Sequence, residues 1–388
     1  MTGAGRPARP SVRQPPRATR RPVAGEAKPG VAVRSTIHDV AARAGVSIAT
    51  VSRVLSGKPT VGPDYQERVF AAVAAVGYRP SRVARSLRLR STHSLGLIVT
   101  DILNPFFPEL VRSIEDQARE FGYALILCNG AEDPEREATY LEVLLERQVD
   151  GIIIASSSIT NRQRVWLATS PVAVALVNCE APGSGLSTIL SDNRAGGRLA
   201  IEHLLALGHR RLGYLAGRVR EGHREGRDTV SAERLAGVRD AIAAASEKAS
   251  IIVVAGDPHG PGGEAAMSTL MERAPATTGV FAFNDLMALG ALRAARRCGR
   301  RVPDELSIVG FDGLELGVYA DPPLTTVAQD VRTMGHSAVE SLVAKNAAVA
   351  PSTTRLPVRL IQRGSTAAAP VELPARPEPR VRRRHPPA

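Results

Sequence analysis

The chain has 388 residues, 44% hydrophobic, 23% charged and only 4% aromatic, which allows two or three domains whose cores rest on Ala, Val, Leu and Ile. Its net charge of +12 is unevenly placed: residues 1–34 carry eight Arg/Lys against Glu26, 35–92 nine against three acids, and 367–388 five against two, leaving 93–366 mildly acidic. No uninterrupted apolar run approaches a membrane span, so no membrane partner is expected, and Cys128, Cys179 and Cys298 fit neither a disulfide framework nor a zinc site, which points to a reducing cytoplasm.

Residues 1–34 hold many Pro and Arg and almost no large apolar side chains, so they read as a disordered basic tail. Arg20-Arg21 lacks the apolar stretch that an export signal would need after it. From Thr36 the texture changes. Ile37, Val40, Ala41 and Ala44 fall on one helical face and Gly45 ends the run. Ser47 can cap a second helix to about Leu55, with Val51 and Val54 inward. Asp64 can open a third helix that ends at Gly77. Residues 35–80 therefore form a small all-α domain, followed by a linker over 81–92.

From Ser94 apolar strands alternate with amphipathic helices. Strands are predicted at Leu95–Val99, Ala124–Leu127, Gly151–Ile154, Val172–Val177, Arg211–Leu215, Ile251–Val254, Val280–Phe283 and Ser307–Gly310. Helices are predicted at Glu109–Glu120, Glu135–Gln148, Arg194–Leu207, Glu233–Ala245, Glu264–Arg273, Asp285–Cys298 and Val331–Ala344. The pattern is that of an α/β protein with parallel sheets covered by helices. Residues 93–366 are long for one sheet, so two lobes with a cleft are expected, ligands binding at the carboxyl ends of strands. From Ala367 to Ala388 the chain reads as a second Pro/Arg-rich disordered tail.

The run Ile37–Leu55 has the parts of a helix-turn-helix: small Ala41 where the helices cross, Gly45 for the turn and Val51 to lock the second helix. That second helix would enter the major groove of double-stranded DNA. Thr50, Ser52 and Arg53 are its outward polar residues, and Arg53 can donate two bonds to a guanine. Ile48 and Ala49 can make apolar contact at the helix start.

These residues resemble the LacI/GalR family of bacterial transcriptional regulators. The resemblance rests on TIHDVAARAGVSIATVSRVLSG, on Gly77-Tyr78-Arg79-Pro80 and on Ala84-Arg85-Ser86-Leu87. It continues through Asn104-Pro105-Phe106-Phe107, Asp192 to Gly197, Asn284 to Gly290, Gly310-Phe311-Asp312 and Pro323 to Thr326. It implies a repressor with a periplasmic-binding-protein-like core, acting as a homodimer on a palindromic operator. DNA contacts would come from Thr36, Ser47, Ile48, Ala49, Thr50, Ser52, Arg53 and Tyr78. A hinge helix would add Arg82 and Arg85 on phosphates, with Leu87 wedged into the minor groove.

The effector, a sugar or other small polar molecule, would lie between the lobes against Phe106, Phe107, Asn178, Arg234, Asn284 and Asp312. Asn178-Cys179 departs from the family, since many sugar-sensing relatives carry an Asp there. No cofactor or metal is expected. Catalysis is not expected either, since Gly260-Pro261-Gly262-Gly263 lacks the Lys-Ser/Thr of a phosphate loop and His209, His223, His259 and His336 are scattered. The alternative is a small-molecule binding protein, exported or cytoplasmic, without a DNA role.

Overall fold

The computed structural model describes residues 35–56, 61–78, 91–156, 159–181, 183–217, 229–343 and 352–371. The chain divides into two units, Met1–Ser81 and Arg82–Ala388.

The first unit contains α1 (Ile37–Ala44), α2 (Ile48–Leu55) and α3 (Pro63–Val76). Each apolar stripe turns inward: Val40, Ala41, Ala44, Val51, Val54, Val69 and Ala72 form one core. Burying a valine such as Val51 contributes about 1.5–3 kcal/mol, so a handful of such residues carries a three-helix unit. Thr36 and Asp39 close a capping box at the start of α1, satisfying backbone N–H groups that the first turn leaves unpaired. The bonds from Thr36, first from its backbone amide, hold the Asp39 carboxyl below its ordinary range. Gly45 takes the left-handed conformation with φ +64°, which a residue without Cβ adopts freely. Arg68 of α3 donates to the Ala44 carbonyl at 2.6 Å and so braces this turn.

The second unit holds two sheets. The N-terminal lobe contains β1 (Ser94–Val99), β2 (Ala124–Asn129), β3 (Gly151–Ala155), β4 (Ala173–Val177), β5 (Ser187–Ser191) and β11 (Thr353–Leu356), in the order β11-β5-β4-β3-β1-β2. Its helices are α4 (Phe106–Glu120), α5 (Pro134–Glu146), α6 (Asn161–Ala168) and α11 (Val331–Val343). The C-terminal lobe contains β6 (Arg211–Ala216), β7 (Ser250–Ala255), β8 (Gly279–Ala282), β9 (Ser307–Asp312), β10 (Thr325–Ala328) and β12 (Arg359–Ile361), in the order β12-β10-β9-β8-β6-β7. Helices α7 (Asn193–Ala206), α8 (Thr229–Ala244), α9 (Gly260–Arg273) and α10 (Asp285–Arg297) cover it. All pairings are parallel except β12 on β10.

The eight predicted strands are present. Four more, β5, β10, β11 and β12, and the helix α6 were not predicted; the last three strands, Thr-Thr-Val-Ala, Thr-Thr-Arg-Leu and Arg-Leu-Ile, contain no run of large apolar residues to mark them. The chain passes between lobes after β5, after β10 and after β11. All three crossings leave one edge of the sheets, beside β5/β11 and β10/β12, while β2 and β7 form the opposite edge.

The described residues also run past Thr366, where composition placed the start of the tail. The Ala369 amide donates to the Leu207 carbonyl at 2.7 Å, and the Ala367 amide to Ser307 Oγ at 3.0 Å. Three small residues lie against the lobe before the Pro/Arg-rich composition sets in; residues 372–388, like the tail at 1–34, fall outside the described residues.

Candidate nucleic-acid interface and effector cleft

Helix α2 separates its faces sharply. Val51 and Val54 are buried, while Ile48, Ala49 and Arg53 are exposed and Thr50 and Ser52 are half-buried. The Ser47 hydroxyl accepts from the Thr50 amide at 3.1 Å and lies 2.9 Å from Thr50 Oγ1. Ser47 thus fixes the start of the helix, and the side chains free to reach outward are Ile48, Ala49 and Arg53. Thr36 is engaged in its capping box. Tyr78 packs half-buried against the three-helix core. Arg82, Arg85 and Leu87 lie outside the described residues.

In the second unit, polar residues gather at the carboxyl ends of the strands. Arg234 of α8 is 3% exposed. Its Nε donates to Asn193 Oδ1 at 2.9 Å, and an Nη donates to the Phe283 carbonyl. Its guanidinium lies 3.5 Å from the Phe311 ring centroid and 3.7 Å from the Asp312 carboxylate. Glycines permit this arrangement: a Cβ on Gly197 of α7 or Gly237 of α8 would collide with the backbone of the other helix. The close crossing brings Asn193, at the start of α7, against Arg234.

Asp312 ends β9 with φ +115°, a conformation that a residue with a Cβ rarely adopts and that clusters at functional sites. Its carboxyl is raised to about 6. Burial is the largest cause and outweighs the opposing Arg234 charge and the hydrogen bond from Gln329. Gln329, between β10 and α11, donates to Asp312 Oδ1 at 2.7 Å and accepts from Ser191 Oγ at 2.6 Å. It sits at one interlobe crossing and bonds to residues of both lobes. Sequence reading missed it; its visible signal was its position just past Thr325-Thr326 and before an amphipathic helix.

Asn178 follows β4 with φ +57°, a left-handed position that Asn tolerates. It is 8% exposed, and its side-chain oxygen accepts no hydrogen bond from the described residues. Asn284 is differently occupied. It caps α10, its oxygen accepting from the Met287 amide and its nitrogen donating to the Pro258 carbonyl, both at 2.8 Å. Phe106 belongs to the N-terminal lobe core at 3% exposure. Phe107 packs edge-on against it with ring centroids 5.3 Å apart and stays half-buried. Of the six sequence-predicted positions, Arg234 and Asp312 are brought into contact, Asn178 keeps an unmatched oxygen, and Asn284 has both polar atoms satisfied by the protein.

Among the described residues no His, Cys, Asp and Glu group is arranged to hold a metal ion, and no helix is long and apolar enough to cross a membrane.

A helical unit presenting one exposed helix face, joined to two parallel-sheet lobes with buried polar groups at the strand ends, defines a DNA-binding regulator with a ligand-sensing core. Residues 36–81 match the family model described as bacterial regulatory proteins of the lacI family, and 201–366 match a periplasmic binding protein-like domain. The chain is 38% identical over 335 residues to the ribose operon repressor of Halalkalibacterium halodurans, covering 86% of this chain and 97% of that protein. It is 35% identical over 311 residues to the transcriptional repressor PurR of Photobacterium profundum, covering 80% and 91%.

Among solved structures, the lac repressor dimer bound to operator and the anti-inducer ONPF superposes with a TM-score of 0.77 at 29% identity, covering 86% of this chain and all of that one. A LacI family regulator from Enterococcus faecium with bound ribose gives 0.61 at 30%, covering 71% and 99%. The chain belongs to the LacI family of bacterial transcriptional regulators. Both relatives named above are transcriptional repressors.

Proposed function

We propose that the chain is a repressor that reads a palindromic operator as a homodimer through α2 and releases or grips it according to a small polyhydroxylated effector, of the sugar class, bound between the lobes. The observation that carries the effector reading is the set of buried polar groups at the strand ends. Arg234 and Asp312 lie 3.7 Å apart, and Asn178 holds an unmatched acceptor. A buried acceptor without a partner costs about 1–3 kcal/mol, and a ligand hydroxyl that donates to it recovers that cost. The bound ribose of the Enterococcus faecium neighbour supports the sugar class. Asn284 is an indirect contributor, fixing the end of β8 through its cap. Phe107 offers its half-buried ring edge.

For DNA, Arg53 reads base edges, Ile48 and Ala49 make apolar contact, and Thr36 and Ser47 hold the helix starts toward the backbone. Exposed apolar residues on the edge strands, Leu127 of β2 and Ile252 and Val253 of β7, suit a face between two copies.

Calorimetric titration of the full chain with a panel of pentoses, hexoses, nucleosides and purines tests the effector class, followed by the same titration of Asp312→Ala. A sugar that binds the parent and not the variant supports the reading. A panel ligand that binds both with equal affinity refutes the pocket. Binding of a purine alone replaces the sugar class.

A further inference from the structure

The edge of the lobes farthest from the three crossings carries a charge cluster that neither the DNA face nor the effector groups use. Asp101 follows β1 and Glu132 follows β2, both in the N-terminal lobe; Asp257 and His259 follow β7 in the C-terminal lobe. His259 Nε2 lies 3.5 Å from Asp101 Oδ2, 3.7 Å from Glu132 Oε1 and 3.7 Å from Asp257 Oδ1. The imidazole of one lobe thus faces two carboxylates of the other. His259 occupies the N-cap position of α9 without a side-chain capping bond, so local helix formation does not account for its placement.

We propose that His259 is a proton-operated latch that holds the mouth of the interlobe cleft shut, making pH a second input to the regulator. The lever argument comes first. The hinges lie along the β5/β11 and β10/β12 edge and the latch along the β2/β7 edge, so a small change in lobe angle separates His259 from Asp101 and Glu132 more than it separates any pair near the crossings. The charge argument follows. A protonated imidazole is attracted to the facing carboxylates and a neutral one is not. Asp257 stays with His259 in either state because both belong to one lobe; Asp101 and Glu132 are the partners lost on opening. Protonation therefore favours closure through Asp101 and Glu132, the carboxylates that opening removes.

The latch therefore closes the cleft in acid and opens it in alkali.

The latch rests on lobe closure as the signalling coordinate, as the proposed effector site does, so its test uses neither effector nor DNA. Spin labels at Arg136 on α5 and Glu272 on α9, both exposed, report the mouth by electron–electron distance measurement. The full chain is used with Cys298 replaced by Ser and diluted with unlabelled chain. Imidazole ordinarily changes charge between about pH 5 and 8, so the two ends of that range are compared. The parent is expected to show a short-distance population at the acid end that gives way to a longer one at the alkaline end. His259→Gln loses most of that shift. Asp101→Asn, which retains the oxygen that accepts from the Leu103 amide at 3.1 Å, is the second variant and loses the shift as His259→Gln does. A parent distribution that ignores pH overturns the proposal, as does a full shift in both His259→Gln and Asp101→Asn.

Discussion

Replacing Arg234 by Met keeps most of the side-chain volume, removes the charge, and isolates what Asp312 experiences without its partner. Two losses follow. The first is independent of pH: bonds to Asn193 and the Phe283 carbonyl and the stacking over Phe311. Breaking such a buried charged arrangement costs about 3–5 kcal/mol. The second depends on pH through Asp312, whose carboxyl in the parent is already raised from 3.8 to about 6 by burial against the opposing pull of Arg234. Without that pull it rises further. A carboxyl that binds its proton more tightly folded than unfolded withdraws stability as pH climbs from its unfolded to its folded value. In the parent this withdrawal ends near pH 6; in the variant it continues above that. The destabilisation by Arg234→Met should therefore be constant at acid pH and grow by about 1.4 kcal/mol per pH unit above it. Urea unfolding of parent and variant at a series of pH values measures the difference directly. A difference that stays flat or shrinks across neutral pH refutes the assignment of Asp312 as the group that Arg234 keeps ionisable.

Three further outcomes are expected. Arg53→Ala should cost about 1–3 kcal/mol on the selected operator and leave binding to random DNA nearly unchanged, read by mobility shift on both DNAs; equal losses on both would assign Arg53 to phosphate. Thr36→Ala removes the α1 capping box and should lower the stability of the helical unit by roughly 1 kcal/mol, visible as an earlier loss of helical circular dichroism; an unchanged melt would mean that the cap is redundant. Asp285, buried with its carboxyl raised to about 8, first by burial and then by Asp312, should make the core lose stability as pH rises toward 8. Asp285→Asn should flatten that slope while sacrificing its bond from the Leu314 amide, and a slope unchanged in the variant would place its origin elsewhere.

The helix-turn-helix was legible because each of its signals is local. Ser47 caps the second helix, Gly45 supplies a left-handed turn, and Val40 with Ala44 in the first helix and Val51 with Val54 in the second recur at helical spacing. The eight strands with apolar runs were legible for the same reason. Strand β10, Thr-Thr-Val-Ala, has no large apolar run to mark it; it is a strand because β9 lies beside it. Helix α6 had a readable start in the Thr160–Gln163 capping box, yet Asn161-Arg162-Gln163-Arg164 shows no apolar stripe.

The site divides along the same line. Asp312 was singled out by its motif, but the partners that bear on its ionisation come from α8 and from the crossing after β10. Asn284 shows the converse. The same Asn-Asp opening that marks a pocket position also marks a helix cap, and only the fold around Met287 and Pro258 decides that both of its polar atoms are spent. His259 looked like one of several scattered histidines because its partners stand at Asp101 and Glu132, on a lobe that the chain had already left. Residues that build an element leave a periodic trace in their neighbours. Residues that couple two lobes leave none, because the contact that gives them a role exists only once both sheets have folded and faced each other.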